Sequence, residues 1–190
     1  MAQPDPDDPG AATNTTAAAT PAWRSGRSLD GGIDRVPVPS TAGTMLLCGK
    51  HLIGPDPVET IARLDVDTVV CLSQQHELVD RYPHYVQWLA QAGDAALWHP
   101  IPDLHAPPLS EAVHLADEIL RRLDLGHTVL VHCGAGIGRA GTIAAAVLLR
   151  RGVALDDALH TVASCRPMGG PEAGAQRTLL DEMAAQGEPE

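Results

Sequence analysis

The stretch VLVHCGAGIGRAGT, Val129 to Thr142, decides how the chain is read. A run of apolar, partly β-branched residues ends at His132-Cys133. A glycine-rich turn carrying Arg139 follows, and an alanine- and leucine-rich segment comes straight after it. Apolar run, glycine turn and helix-forming segment predict a buried strand, a tight loop and a helix. Two chemistries use that order. The literal G-x-G-x-x-G in GIGRAG can seat a dinucleotide pyrophosphate. Alternatively, the loop can hold an anion above the Cys133 thiol.

The same pattern repeats outward from this stretch. TMLLCG and DTVVCLS predict strands, and AALWHPIPD predicts another that ends at proline. DPVETIARL predicts a helix with Asp56 as N-cap and Pro57 at its first position. HYVQWLAQAG predicts a helix stopped by Gly93, and SEAVHLADEILRRLDLG one capped by Ser110 and stopped by Gly126. AGTIAAAVLLRRG, DDALHTVASCR and EAGAQRTLLDEMAAQ predict three more. Strands alternating with helices predict an α/β domain, with a central, mainly parallel, twisted sheet of four to five strands flanked by helices. Ligands of such sheets bind beyond the carboxyl ends of the strands. Cys133 and Asp103 both fall just past a predicted strand end, so they can face one crevice.

At 190 residues the chain suits one domain with a tail. Residues 1–39, rich in Pro, Ala, Thr, Asp and Gly, lack periodicity and are expected to be a disordered tail, with the domain at 40–190. Trp23, Arg24 and Arg27 are the residues of that tail suited to docking on the domain. Lys50 is the single lysine among 13 basic residues, a bias typical of GC-rich, bacterial genomes. The net charge of -11 argues against nucleic acid or an anionic membrane as partner. Cys48, Cys71, Cys133 and Cys165 lie far apart, without zinc-ligand spacing. The N-terminus carries neither a basic start nor an apolar stretch, and no apolar run is long enough to span a bilayer. A reduced, cytoplasmic protein is expected.

For the dinucleotide reading, Asp156 stands about 20 residues beyond Gly136, where a ribose-binding acid belongs. Against it, GVALDDAL is too short to supply the second strand that such an acid should end. The thiol reading uses more residues. Gly134, Ala135, Gly136, Ile137 and Gly138 can curl so that successive N–H groups point inward, and the following helix aims its positive end at the same spot. Arg139 can clasp two oxygens of a tetrahedral oxyanion. A thiol at a helix N-terminus beside a cation favours the thiolate, the attacking form.

His132-Cys133-x5-Arg139, within HCGAGIGRAGT, resembles the signature of the protein tyrosine phosphatase superfamily, in particular its dual-specificity type. The resemblance extends more loosely, as order of elements, over about Leu46 to Met183. It implies a phosphatase-like fold and a cysteine-dependent phosphomonoester hydrolase acting through a phosphocysteine, with no metal or other cofactor and a phosphoprotein as substrate. It implies further that Arg139 binds phosphate and stabilises the transition state, and that His132 orients the loop and helps to depress the thiol pKa, a role that overlaps with that of a histidine that merely satisfies a carbonyl. Asp103, in PIPDLHAPPL and thirty residues before Cys133, would be the general acid, although an Asp there can also simply cap a turn. Gln176, following Arg166-Pro167, matches the glutamine that positions the hydrolytic water in some members, or is a polar residue of the last helix. Gln74, His76 and Glu77 would line the pocket, and His105 would contact substrate or be simply a loop histidine. Cys48 or Cys71 is a candidate redox partner for Cys133. Ala140 stands where the family has a hydroxyl, which leaves a catalytically weak phosphate-binding module as one alternative. A phosphoinositide phosphatase is another, opposed by Ala135 and Ile137 where such enzymes carry lysines. The substrate and the oligomeric state are not legible in the residues.

Overall fold

The computed structural model describes residues 31–187. Five strands form one sheet: β1 (Ile33–Val36), β2 (Thr44–Gly49), β3 (Thr68–Cys71), β4 (Ala96–Trp98) and β5 (Thr128–Cys133). Their spatial order is β1-β2-β5-β3-β4. β5 is central, parallel to both β2 and β3; β3 is parallel to β4, and only β1 runs antiparallel, along β2. Five of the six β5 residues are buried, as its unbroken apolar run requires of a strand covered on both faces. The expected mainly parallel sheet is therefore present, and Cys133 lies at the carboxyl end of its middle strand.

Three helices cover one face: α1 (Lys50–Ile53), α2 (Pro57–Leu64) and α3 (Pro83–Gln91). Four cover the other: α4 (Leu109–Asp124), α5 (Gly138–Arg150), α6 (Leu155–Cys165) and α7 (Gly174–Gly187). α4 is amphipathic, burying Ala112, Leu115, Ala116, Ile119, Leu120 and Leu123 at helical spacing. α5 is buried all round from Gly138 to Leu148, so its small residues let three helices and the sheet close around it. That enclosure fixes the helix that begins at the glycine loop. Deleting a large side chain from this core, such as that of fully buried Ile143, would cost about 2–5 kcal/mol.

Local signals settle most boundaries. Asp56 Oδ1 accepts the Glu59 N–H at 2.8 Å, the expected N-cap of α2, with Pro57 at the first position. β4 ends just before Pro100, as expected, although the His99 and Ile101 N–H groups still bond the Cys71 and Leu72 carbonyls. Two expectations need correction. Ser110 does not cap α4: the helix already starts at Leu109, Pro108 takes the cap position and its carbonyl accepts the Ala112 N–H. Within the segment assigned to the tail, Ile33–Val36 forms an ordered edge strand, paired from Ile33↔Cys48 to Val36↔Met45. Trp23, Arg24 and Arg27 lie outside the described residues.

Candidate active site

Cys133 ends β5 and Gly138 begins α5, so the glycine turn bridges the central strand and the buried helix. It lies against the end of β2: the Lys50 N–H donates to the Gly134 carbonyl at 3.0 Å. Gly136 adopts φ +72°, and a Cβ there would meet the Cys48 carbonyl oxygen at 2.0 Å. Only glycine fits, by conformation and by space. This glycine lets the loop curl tightly enough for the Gly136 N–H to reach Cys133 Sγ at 3.2 Å. Cys133 is 2% exposed, at the floor of the loop.

Arg139 is the second residue of α5 and is buried. Its Nη1 donates to Glu77 Oε1 at 2.6 Å and to the Ile101 carbonyl at 2.9 Å. Its Nη2 donates to Glu77 Oε2 at 2.8 Å and lies 3.0 Å from Asp103 Oδ1. Three of the five guanidinium hydrogens are thereby bonded, and Asp103 adds a charge contact at Nη2. Burial alone would push the Glu77 carboxyl up. The hydrogen bonds from Arg139 and the Gln74 N–H, with the charges of Arg139 and Lys50, outweigh it and hold Glu77 below the ordinary carboxylate value. Glu77 is therefore an anion at neutral pH. Gln74 and Glu77 also cap each other across the short turn Gln75–Glu77, and Lys50 Nζ donates to the Glu77 carbonyl at 2.8 Å. Of the three residues expected to line the pocket, Glu77 reaches Arg139, Gln74 braces Glu77, and His76 is exposed.

Asp103 has a side chain 71% exposed, on a tight turn closed by the His105 N–H on the Pro102 carbonyl. Leu104 in this turn takes φ +60°, an uncommon conformation for a branched residue. His105 lies beside the acid but turns its ring back, Nδ1 bonding the Asp103 carbonyl at 2.7 Å. The carbonyl of His105 accepts from Gln176 Nε2 at 3.2 Å. Gln176 is fully buried, and its Oε1 accepts from the Glu172 N–H and from Thr142 Oγ1. The glutamine thus ties the Asp103 turn to α5 and to the start of α7. Thr142 spends its hydroxyl on that tie, and Ala140, fully buried, offers none.

His132 is fully buried, and burial pushes its value down to about 4, so the ring is neutral. Tyr85 Oη lies 2.5 Å from Nε2, and Nδ1 lies 3.5 Å from the Cys133 carbonyl. In the tautomer that suits both contacts, Nδ1–H faces the carbonyl and Nε2 accepts from the Tyr85 hydroxyl. This corrects the expectation that His132 helps to depress the thiol pKa: the ring is neutral and supplies no positive charge beside the sulfur, and its contacts are with Tyr85 and the Cys133 carbonyl.

Cys48 and Cys71 both pair laterally with His132 in the sheet, so they share its face, while Cys133, the next residue, projects to the opposite one. They pack with Tyr85, and Cys133 packs with Ile101 and Ala140. Burial further pushes the Cys71 thiol up to about 12. This geometry opposes a disulfide from either of them to Cys133. Asp156 sits in the first turn of α6 and ends no strand, which removes the geometry of the dinucleotide reading. Among the described residues no cluster of three or more His, Cys, Asp or Glu side chains could hold a metal ion, and no helix is long and apolar enough to cross a membrane.

Comparison with known proteins places this architecture. The family described as "Swiss Army Knife protein, DSP-PTPase phosphatase domain" matches residues 42–182. The chain is 43% identical over 72 residues to dual specificity protein phosphatase 1 of Arabidopsis thaliana, covering 37% of this chain and 35% of the relative. It is 29% identical over 105 residues to cyclin-dependent kinase inhibitor 3 of Sus scrofa, covering 54% of this chain and 50% of the relative. The chain thus spans half or less of the length of these curated relatives. Among solved structures, the active form of Tk-PTP is 29% identical with a TM-score of 0.63, over 80% of this chain and 97% of that one. Kinase associated phosphatase has a TM-score of 0.69 at 20% identity, over 81% of this chain and 94% of that one, and so shares the fold. By the extent of the family match, the chain belongs to the DSP-PTPase phosphatase domain family, within the dual-specificity type of the protein tyrosine phosphatase superfamily.

Proposed function

We propose that the protein is a cysteine-dependent phosphomonoester hydrolase acting on phosphoproteins through a phosphocysteine intermediate. The observation that carries this reading is the Gly136 N–H aimed at Cys133 Sγ at 3.2 Å, in a loop that opens onto the helix holding Arg139. The Gly136 N–H and the positive end of α5 both stand where negative charge passes between sulfur and phosphoryl oxygens in such a reaction. In this reading the loop amides of Gly134, Ala135, Gly136, Ile137 and Gly138 receive the phosphoryl oxygens. Arg139 adds its Nε–H and the Nη2 hydrogen now turned to Asp103, so it binds phosphate along one edge while Glu77 and the Ile101 carbonyl hold the other.

The arriving dianion takes the place of Asp103 at Nη2, and the freed carboxylate, now beside the dianion, takes up a proton from water and presents it to the leaving group. The thiolate attacks phosphorus. The bond from phosphorus to the leaving oxygen breaks, and Asp103 gives that oxygen its proton. Water then attacks the phosphocysteine, Asp103 takes up its proton, the sulfur–phosphorus bond breaks and inorganic phosphate departs. Gln176, tied to the His105 carbonyl, fixes the turn that carries Asp103 and, in this reading, borders the path of the water. No step calls on a cofactor. Four cysteines without a disulfide fit a reducing, cytoplasmic setting, and the arginine-rich composition fits a bacterial source.

The test is hydrolysis of an aryl phosphate and a phosphopeptide panel by the native protein and by Cys133→Ser, with and without chelator. The reading expects turnover in the native protein that chelator leaves unchanged, and only trace turnover in the variant. Binding of vanadate without turnover of any substrate would make it a phosphate-binding module. Preference for phosphoinositides over phosphopeptides would move it to lipid substrates.

A further inference from the structure

Arg166 lies outside the loop and is not used by the steps above, yet it is 2% exposed and carries a charge. It follows α6, and its guanidinium turns toward the sheet. Nη1 bonds Asp34 Oδ2 of β1 at 2.7 Å, and Nη2 bonds the Ala135 carbonyl at 2.7 Å. The carbonyls of Gly31 and Gly32 lie at 3.4 Å. The Asp34 side chain is itself only 10% exposed. A buried charge pair is costly to desolvate and persists only with good geometry, so its placement against one loop carbonyl calls for a reason.

The reason lies in the peptide unit. The Ala135 carbonyl and the Gly136 N–H belong to one planar group and point in opposite directions. Arg166 takes the carbonyl on the outer side, and Cys133 Sγ takes the N–H on the inner side. Gly136 offers little steric resistance to rotation of this peptide, so its orientation is fixed from outside. Gly49 helps at the back, where a Cβ would press the Ala135 oxygen at 3.0 Å. A cation on the carbonyl also polarises the peptide and strengthens the donor at its other end.

We propose that Arg166 is a positioning residue: anchored by Asp34, it fixes the Ala135–Gly136 peptide so that the Gly136 N–H meets the Cys133 sulfur, which couples β1 to the phosphate loop. The inference rests on the reading of Cys133 as the attacking group, but it can be tested without turnover. Iodoacetamide alkylation of the Cys133 peptide, followed by mass spectrometry, reports the thiolate fraction across pH, and orthovanadate titration reports the loop. In Arg166→Met, alkylation at mildly acidic pH should fall roughly tenfold, the scale of one lost hydrogen bond, and vanadate should bind correspondingly more weakly. The native and variant rates should converge at alkaline pH, where every thiol is ionised. Arg166→Lys, which keeps a charged donor, should recover part of the loss.

A folded Arg166→Met with native pH dependence and native vanadate affinity would overturn the proposal, as would an equal loss of rate at every pH. Should Arg166→Met fail to fold, Asp34→Asn must shift alkylation the same way by a smaller factor, and no shift contradicts the proposal. Loss of thiolate in these variants alongside a native protein without phosphatase turnover would sink the enzyme reading and leave this one standing.

Discussion

Arg139 and Glu77, 62 residues apart in sequence, meet as a two-pronged ion pair at 2.6 and 2.8 Å, the guanidinium buried and the carboxylate half-buried. The pair does two jobs. It supplies the guanidinium with a counter-charge more enclosed than exposed Asp103, and it holds both Nη atoms in place. Removal of Glu77 should separate the two effects. Glu77→Ala should destabilise the protein by about 1–3 kcal/mol, the scale of leaving buried donors unsatisfied, because Asp103 stays within reach of the guanidinium. Inorganic phosphate should then raise the melting temperature of the variant more than that of the native protein, since the dianion becomes the counter-charge. Thermal unfolding with and without phosphate decides this, and an equal or smaller rise in the variant would contradict it.

In the proposed mechanism Asp103 both yields Arg139 Nη2 to phosphate and donates the proton, so Asp103→Asn should push binding and turnover in opposite directions. Vanadate should bind more tightly once the carboxylate, 3.0 Å from Nη2, has lost its charge. Turnover of substrates with poor leaving groups should fall roughly 10²–10⁴-fold, and that of activated aryl phosphates much less. Equal losses for both substrate types would show that Asp103 shapes the turn without donating a proton.

His132 makes stability depend on pH. Its folded value of about 4 lies below the ordinary 6.5 because burial disfavours the charged ring. Above 6.5 neither state binds the proton. As pH falls from 6.5 toward 4, the unfolded chain takes up a proton that the folded chain refuses, so stability is lost through that window, by up to about 3 kcal/mol. Denaturant unfolding across the window should show this loss, and His132→Gln should flatten it. An unchanged slope in the variant would place the titration elsewhere. Tyr85→Phe, which strips the hydroxyl from Nε2, should cost about 1–3 kcal/mol through the unsatisfied nitrogen.

Breakdown of the phosphocysteine returns charge to sulfur. Ala140 cannot donate to it, and Thr142 has its hydroxyl on Gln176. A hydrogen bond to a charged group is worth about 1.5–3 kcal/mol, or roughly one to two powers of ten in rate. An activated substrate should therefore give a burst equal to the enzyme concentration, followed by a slower steady rate. Ala140→Ser should speed the steady phase and shrink the burst. Stopped-flow traces without a burst, and without a gain from Ala140→Ser, would mean that another group already stabilises the sulfur.

The central strand, the glycine loop and the helix after it were legible because apolar run, Gly spacing and helix-forming residues all agree between Val129 and Leu149. Asp103 was legible as a position past a strand end, although not its bond to Arg139. Long-range side-chain bonds leave no local trace. Glu77 could be named only as a lining residue, and Arg166 only as a landmark before Gln176. Its bonds to Asp34 and Ala135 span 132 and 31 residues. Strand β1 escaped because four residues at a sheet edge, one face half-open, carry little alternation among flanking prolines and glycines. The opposition of Cys48 and Cys71 to Cys133 needed the strand register, which the residues alone do not reveal.

The central claim is that Cys133 itself carries the phosphoryl group. The most direct measurement is to mix the protein with an activated phosphate ester, denature it rapidly in alkali during the steady phase, and locate the phosphoryl group by peptide mass spectrometry. The account predicts one phosphoryl group, on the peptide containing Cys133 and attached to its sulfur, and none in Cys133→Ser. A phosphoryl group on another residue, or full turnover by Cys133→Ser, would contradict it.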